Sequence, residues 1–526
     1  MTRTAAVLWL LSASAAPSPG QGLFAEAAST APRAAPPRLG VVRSRPVRLR
    51  LGLIPGAAAR DAARGVLPPR GHRLTLNLFD DVLVRARMAW TQRRGSALAW
   101  AGKIEGEPIG DVVLAAVDGV VSGSVVWPGG AYRIRFDGST HVVEQLDHDQ
   151  FPESGCFKEV PGVAAEVGGM PVANADDGSL VDVLVVYTPA ARAAAGGTPA
   201  MLSQVNLAVA ETNTGYANSN VVQRLRLAGT AEVGYTESGD VSEDLDRLTA
   251  TGDGFLDGVH ALRDGDRADV VSLITETPSS PCGVAWLMRG NDPGFGPHAF
   301  SVVELACMTG YYSFGHEIGH NMGLNHARAD YADTPVGAFP YSFGYKHPSH
   351  LFRTVMAYNC PVGCPRVLHF SNPNVTYGGH PTGVSEASPS SAYNALSLDN
   401  TRVTVANWRR GPSLTLLAPI GGESWRAGST RAITWTASGL PAGAVVHITY
   451  SNGSSRGFVT NRTAGAAIAS VPAGQGSYEW EVPFDVGRWW RVSLCVPAPA
   501  SPARGSTGGR PCLVSAASGA PFSIVP

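Results

Sequence analysis

The alternation of apolar and polar positions divides the chain into three stretches of different rhythm. From Arg73 to Val143 short alternating or apolar runs recur, among them Leu74-Thr75-Leu76-Asn77-Leu78, Val112-Val113-Leu114 and Tyr132-Arg133-Ile134-Arg135-Phe136, with glycines between them. Period-two alternation broken by turn residues predicts a small antiparallel β unit. Further on the runs lengthen. Val181 to Tyr187 predicts a buried strand ending in the turn Thr188-Pro189, and Pro199 to Thr212 has the apolar spacing of a helix. Leu225 to Leu227 and Ala268 to Ile274 predict more strands, with helical segments at Ser242 to Leu248 and Phe255 to Leu262 between them. Strands and helices in alternation describe an α/β sheet with crossover connections. Two short strands follow, Cys282 to Leu287 and Phe300 to Glu304, and the helix-like Asn400 to Trp408 closes this part. After Gly411 the composition shifts to Thr, Ser, Gly and Trp, with short strands such as Arg431 to Trp435, Val445 to Tyr450 and Trp490 to Leu494, the pattern of a β-sandwich.

A chain of 526 residues exceeds the size of a single hydrophobic core, so several domains are expected. The formal net charge is −1, and the arginines, which far outnumber Lys103, Lys158 and Lys346, are scattered. Neither a nucleic-acid surface nor a basic membrane stripe is indicated. At the start, Arg3, the apolar run Ala5 to Leu11 and the small residues Ala13-Ser14-Ala15 read as a secretory signal. An alternative cleavage point lies near Ala25-Glu26-Ala27, which sets the leader at residues 1–27. No run reaches the roughly twenty apolar residues of a membrane span. From there to Val66 the Ala-, Pro- and Arg-rich chain reads as a linker.

The chemistry concentrates in His316-Glu317-Ile318-Gly319-His320-Asn321-Met322-Gly323-Leu324-Asn325-His326. His316 and His320 stand four apart, so on a helix their imidazoles share one face and can grip one ion. Glu317 sits where a general base can reach a water on that ion without binding the ion itself. Gly323 can take a left-handed conformation, end the helix and return the chain so that His326 approaches from another direction. Three neutral nitrogens and one open position are the arrangement of a catalytic zinc.

Downstream, Arg353-Thr354-Val355-Met356-Ala357-Tyr358 places a methionine in a compact segment. With it the sequence resembles the metzincin metalloproteases, whose extended zinc motif is followed by a methionine turn. The strand Val181 to Pro189, the glycine-rich approach to the motif and Phe370-Ser371-Asn372-Pro373 look most like bacterial members of the reprolysin-like group, including the peptidyl-Asp metallopeptidases. The resemblance implies an α/β (α+β) catalytic domain with a twisted mixed sheet and a zinc helix, a β-rich propeptide before it, and a zinc endopeptidase acting on proteins or peptides. It implies zinc on His316, His320 and His326, Glu317 as base, and Met356 as a floor beneath the ion. Tyr358 would bind zinc or swing to the tetrahedral intermediate; a packed tyrosine bonded to the backbone is the other reading. Val284, Ala285 and Trp286 would form the cleft's edge strand, which accepts substrate as an added strand, or else an interior strand. The resemblance also suggests a pocket for an acidic side chain near Lys346, Arg353 and Arg366. One departure stands out: Ala327 follows the third histidine, where reprolysins usually carry aspartate, and the acid comes at Asp330.

The domains then run 1–27 signal, 28–176 linker and propeptide, 177–411 catalytic domain and 412–526 terminal sandwich, with Gly168 to Ser179 a place for processing. The β unit before the motif also reads as a free-standing binding module. Pro419 to Trp425 with Ile433-Thr434-Trp435 resembles an immunoglobulin-like module, a spacer or a weak binder of polysaccharide or cell surfaces. Seven cysteines in a secreted chain leave one over. Domain membership and position allow Cys282 to pair with Cys307, Cys360 with Cys364 and Cys495 with Cys512, and leave the connectivity open. Cys156 remains, in the presumed propeptide: a thiolate able to fill the open zinc position, an inert buried thiol, or half of an intermolecular disulfide. A rival from another class is a surface-binding or adhesion protein whose zinc is structural. Calcium and oligomeric state are not legible.

Overall fold

The computed structural model describes residues 22–27, 38–152, 155–160, 176–276, 281–330, 336–409, 413–438, 440, 443–452, 466–497 and 512–526. The first nine strands are β1 Phe24–Glu26, β2 Val41–Leu49, β3 Arg73–Phe79, β4 Val82–Arg94, β5 Ala97–Ile104, β6 Asp111–Val117, β7 Val120–Trp127, β8 Gly130–Phe136 and β9 His141–Leu146. They form one antiparallel sheet in the order β1-β2-β9-β8-β7-β6-β5-β4-β3. Its two ends meet. Leu23 N–H donates to Thr75 O at 2.8 Å, and the Asn77 amide bonds both the N–H and the C=O of Phe24. Inside lie Leu76, Trp100, Val112, Leu114, Val121 and Ile134. The strand β6 shows no polar alternation after Asp111 because both of its faces are buried.

Two expectations are corrected here. Residues Phe24–Glu26, assigned to the leader, are a strand whose Phe24 is 1% exposed, so the sheet starts ahead of residue 27; the earlier leader residues lie outside the described ones. The supposed linker before Val66 contains β2 and a short helix, α1 Ala59–Ala63. The row of β2 that leads to the buried Val47 includes the half-buried Arg43 and Arg45, which mutes the apolar pattern. Arg43 donates to Gln145 Oε1 at 2.6 Å and Arg45 to Leu78 O at 2.7 Å, so these arginines carry hydrogen bonds where apolar side chains would signal a strand.

A second sheet follows, built from β10 Phe157–Glu159, β11 Leu180–Tyr187, β12 Arg224–Glu232, β13 Val270–Thr275, β14 Gly283–Leu287 and β15 Phe300–Glu304 in the order β10-β14-β15-β13-β11-β12. Strands β12, β11, β13 and β15 are parallel, β14 runs antiparallel to β15, and β10 adds in parallel to β14. The helices are α2 Pro189–Ala195, α3 Thr198–Asn218, α4 Val241–Thr249, α5 Gly258–Asp266, α6 Leu305–Met308, α7 Ser313–Asn321 and α8 Asn394–Val405. Helix α3 is buried nearly all round, because it packs on β12 and α7 and also against β5, β6 and β7 of the first sheet. Ser203 of α3 and Ser122 of β7 share a buried hydrogen bond of 2.6 Å. The presumed processing stretch falls mostly on residues 161–175, outside the described ones.

From Ala406 the chain forms a separate compact unit. Two sheets, one around Thr430–Ser438 and one around Gly487–Pro497, share a core of Trp425, Ile433, Trp435, Val446, Trp480 and Phe522. The tryptophans that carried the immunoglobulin resemblance, Trp425 and Trp435, are therefore core residues. Disulfides join Cys282 to Cys307, Cys360 to Cys364 and Cys495 to Cys512, and Cys156 is buried and takes part in none of the three. Among the described residues no helix is long and apolar enough to cross a membrane.

Candidate metal centre and active site

Helix α7 carries His316, Glu317 and His320 and ends through Gly323, whose φ is +83°. Gly323 N–H donates to His320 O at 3.0 Å and Leu324 N–H to Gly319 O at 2.9 Å, which satisfies carbonyls of the last turn. A Cβ at Gly323 would lie 2.4 Å from the Ala338 Cβ, so both backbone conformation and space require glycine there. The chain then turns into the short strand Asn325–Ala327, which pairs with Phe343–Gly344 and delivers His326.

All three imidazoles are buried and their Nε2 atoms converge, His316 lying 3.2 Å from His320 and 3.2 Å from His326. His316 Nδ1 donates to Val355 O at 2.8 Å and His320 Nδ1 to Leu324 O at 2.8 Å. These bonds place the ring protons on Nδ1 and turn the Nε2 lone pairs inward. Burial, and for His316 and His326 the neighbouring imidazoles, hold all three below the ordinary histidine range, His320 at about 4. Facing lone pairs at this separation repel unless a cation lies between them. Two nitrogens about 2.0–2.1 Å from a tetrahedral ion stand roughly 3.3–3.4 Å apart, so the donor set fits one.

The fourth donor is Cys156. Its Sγ lies 3.2, 3.6 and 2.9 Å from the Nε2 atoms of His316, His320 and His326, and the four donor atoms all fall within 4.8 Å of one another. The Tyr358 hydroxyl is 3.1 Å from the same sulfur, and its ring centroid is 4.0 Å from that of His326. Strand β10 continues from Cys156 along β14, with Phe157 opposite Ala285 and Lys158 opposite Trp286. Ala285 N–H donates to Cys156 O at 3.2 Å. Ion pairs of Lys158 with Asp246 and of Glu159 with Arg289 hold the segment at its far end.

Thus β14 is the edge of the sheet apart from β10. The side chains of Val284, Ala285 and Trp286 are buried, and Trp286 Nε1 donates to Thr249 Oγ1, so what the strand offers a neighbouring chain is its backbone. Met356 is fully buried beneath α7, where a Cβ at Gly319 would come within 2.6 Å of its Sδ. Glu317 is 1% exposed and its Oε2 meets no hydrogen-bond partner among the described residues. Burial pushes its carboxyl well above the usual range, against the opposing pull of the Arg366 guanidinium. A Cβ at Gly283 would lie 2.9 Å from Glu317 Oε1, so the edge strand needs glycine where it passes the carboxyl.

Gly283 had no signal of its own in the sequence. Asp330, noted there only as a displaced acid, gains a role: its Oδ2 accepts the N–H groups of Ala327 at 2.9 Å and Tyr358 at 3.1 Å, and Lys346 ion-pairs with it. The acid displaced from the position after the third histidine therefore still reaches both flanks of the metal centre. Of the three basic residues considered for an acid pocket, Arg366 lines the cleft and Arg353 lies behind it, while Lys346 belongs to Asp330.

Residues 178–388 match the family model described as Metallo-peptidase family M12B Reprolysin-like. A peptidyl-Asp metalloendopeptidase of Stenotrophomonas maltophilia (strain R551-3) is 40% identical over 316 residues, covering 58% of this chain and 72% of the relative. With this match the chain belongs to the reprolysin-like metallopeptidases and is a zinc metalloendopeptidase by class. The particular relatives agree with one another. A protein of Xanthomonas campestris pv. campestris, 39% identical over 314 residues with 58% and 71% covered, and one of Pseudomonas fragi, 34% identical over 200 residues with 38% and 100% covered, carry the same peptidyl-Asp metalloendopeptidase name.

Proposed function

We propose that this chain is the latent precursor of a secreted zinc endopeptidase that cuts proteins beside aspartate, with the β-rich N-terminal part as its propeptide. The single observation that carries the reading is the Cys156 sulfur at the focus of three inward-facing imidazoles, on a segment laid along the sheet edge. His316, His320 and His326 would hold the zinc, which when bound supplies Lewis acidity to lower the pKa of a water and polarise a carbonyl. In the precursor Cys156 takes the position a water would need. After its removal Glu317, buried and facing the cleft, takes a proton from the attacking water and returns it to the leaving amine. Substrate replaces β10 beside Ala285, gaining backbone hydrogen bonds from β14. Met356 keeps its place as the apolar floor. The aspartate preference is taken from the names of the relatives, and secretion from the signal-like start together with three disulfides. The terminal unit acts as a spacer or a weak surface binder.

A closed site of three histidines and one cysteine is also what a structural zinc would use. Glu317 favours the catalytic reading, since a buried carboxyl beside a purely structural ion has no partner to justify its burial. The test is digestion of a protein substrate by the Cys156→Ala precursor with and without a chelator. It should cut without an activating step and stop when the metal is removed. A folded, zinc-loaded Cys156→Ala precursor that stays as latent as the parent would mean that other contacts impose latency. Absence of proteolysis from the processed chain as well would return the structural reading.

A further inference from the structure

The zinc helix and the edge strand meet through one side chain. Asn321, fully buried at the end of α7 and next in the chain to His320, donates from Nδ2 to Trp286 O at 2.9 Å and to Phe300 O at 3.0 Å. Two carbonyls as partners fix which end of the amide faces them, since only its nitrogen can donate. The register of β14 with β15 runs Gly283 with Val303, Val284 with Val302 and Ala285 with Ser301, and ends there. Trp286 and Phe300 would form the next pair, and the amide of Asn321 bonds both of their carbonyls instead. Two residues further on, Met288 N–H donates to His320 O at 3.1 Å. At this end the edge strand is therefore fastened to the zinc helix and not to its neighbour in the sheet.

Successive residues of a strand turn their backbone groups to opposite sides. Ala285 N–H points out of the sheet edge to Cys156 O at 3.2 Å, where the proposed function places substrate, and Trp286 C=O points in, to Asn321. The amide thus holds the strand from behind, immediately beside the backbone group that meets the bound segment, and does so from the residue that follows a metal ligand. We propose that Asn321 is a positioning residue for peptide hydrolysis: it sets the distance of the substrate strand from the metal centre, so that a chain added along Ala285 to Leu287 lays its scissile carbonyl within reach of Glu317. The assignment rests on the reading that substrate adds to β14, and it names the group that fixes that strand. Without the amide, the carbonyls of Trp286 and Phe300 lose this donor, and the two strands can complete the missing pair, drawing the edge away from α7. Asn321 acts through β14 and touches no reacting atom. The competing role is stabilisation alone, two buried hydrogen bonds that hold the fold together without placing substrate.

The experiment uses enzyme prepared from the full-length, zinc-loaded precursor by limited digestion with an added protease. Three fluorogenic peptides are compared: a short one spanning a bond that the parent cuts in a protein, and the same peptide lengthened by two residues on its amino or on its carboxyl side. The parent should cleave one of the lengthened peptides better than the short one by about tenfold or more in kcat/KM, which identifies the side that lies along β14. Asn321→Leu keeps the volume and removes both N–H donors. With zinc still stoichiometric it should bring the ratio of long to short peptide close to one, by losing about a hundredfold on the long peptide and no more than about tenfold on the short. Equal losses on both, or a loss that follows zinc content, would overturn the proposal and leave Asn321 a stabilising residue. Hydrogen exchange on the precursor gives a readout apart from turnover: in the variant the Met288 amide should exchange faster by about tenfold or more while those of β11 keep their rates. Unchanged exchange at Met288, or a rise shared by β11, overturns the assignment. Should the Leu variant fail to fold, Asn321→Ser keeps one donor and should lower the peptide ratio by about threefold or more; an unchanged ratio counts against the proposal in the same way. A parent that gains from neither extension would refute strand addition to β14 itself, and the assignment to Asn321 with it.

Discussion

The Oδ2 of Asp330 accepts the backbone N–H of Tyr358 at 3.1 Å, although the two are 28 positions apart. Because the same oxygen also takes the N–H of Ala327, it fastens the strand carrying His326 to the segment carrying Met356 and Tyr358. Asp330→Ala removes both bonds and leaves Lys346 without its counter-charge. A cost of about 3 kcal/mol is expected, as for breaking a buried ion pair. Thermal unfolding of the precursor should show it, together with weaker zinc retention under limiting metal. An unchanged melting temperature would mean that solvent takes over the role of the carboxylate.

Glu317→Gln should leave zinc bound, since the carboxyl is not among the converging donors. It should lower the turnover of the processed enzyme by several orders of magnitude, because the amide cannot accept the proton. Zinc analysis beside single-turnover kinetics checks both parts, and near-normal turnover with stoichiometric zinc refutes the role of base.

With its hydroxyl 3.1 Å from the sulfur that fills the centre, Tyr358 is in place to donate to an oxyanion that forms there later. Tyr358→Phe should lower kcat by about ten- to a thousandfold while KM barely moves, the sign of an interaction made only in the transition state. If kcat holds steady, the tyrosine only packs against His326.

Glu211 supplies a pH dependence away from the metal. It is buried on α3, accepts Gly310 N–H at 3.0 Å, and is pushed up to about 8 by burial, opposed by a hydrogen bond from Ser124 of the first sheet and by Arg133. A carboxyl whose pKa is higher folded than unfolded binds its proton more tightly when folded. Its contribution to stability is therefore fully present at acid pH and declines as pH rises from about 4.5 to about 8. Glu211→Gln should raise the melting temperature of the precursor near pH 8 and flatten its decline across that range. A parallel pH profile in parent and variant would locate the dependence elsewhere.

Much of the site is local in the chain and could be read there. His316, Glu317, His320, Gly323 and His326 lie within eleven residues, and helix periodicity with one positive-φ glycine suffices to bring them together. The edge position of strand β14 came from the metzincin resemblance of Cys282 to Leu287, which the run itself left open to an interior strand. What eluded the pattern depends on partners far along the chain. Asp330 takes its role from Tyr358 and Lys346, Arg366 meets Tyr311 and Ala357, and Gly283 is required by the carboxyl that passes it. Strand β2 was hidden for a related reason: Arg43 and Arg45 stand in the same row as the buried Val47 and bond to groups that the sequence cannot place.

Helix α3 has one side on the α/β sheet and the other on strands β5, β6 and β7, with Ser122 bonded to Ser203 and Lys103 to Asn218 across the boundary. Severing the chain after β10 breaks none of these contacts. A nicked molecule therefore still holds its thiol over the histidines, tethered by an interface instead of a peptide bond. Under the latency proposed above, the interval between such a cut and first turnover would be an off-rate, one that dilution, temperature or further trimming of the first sheet would hasten.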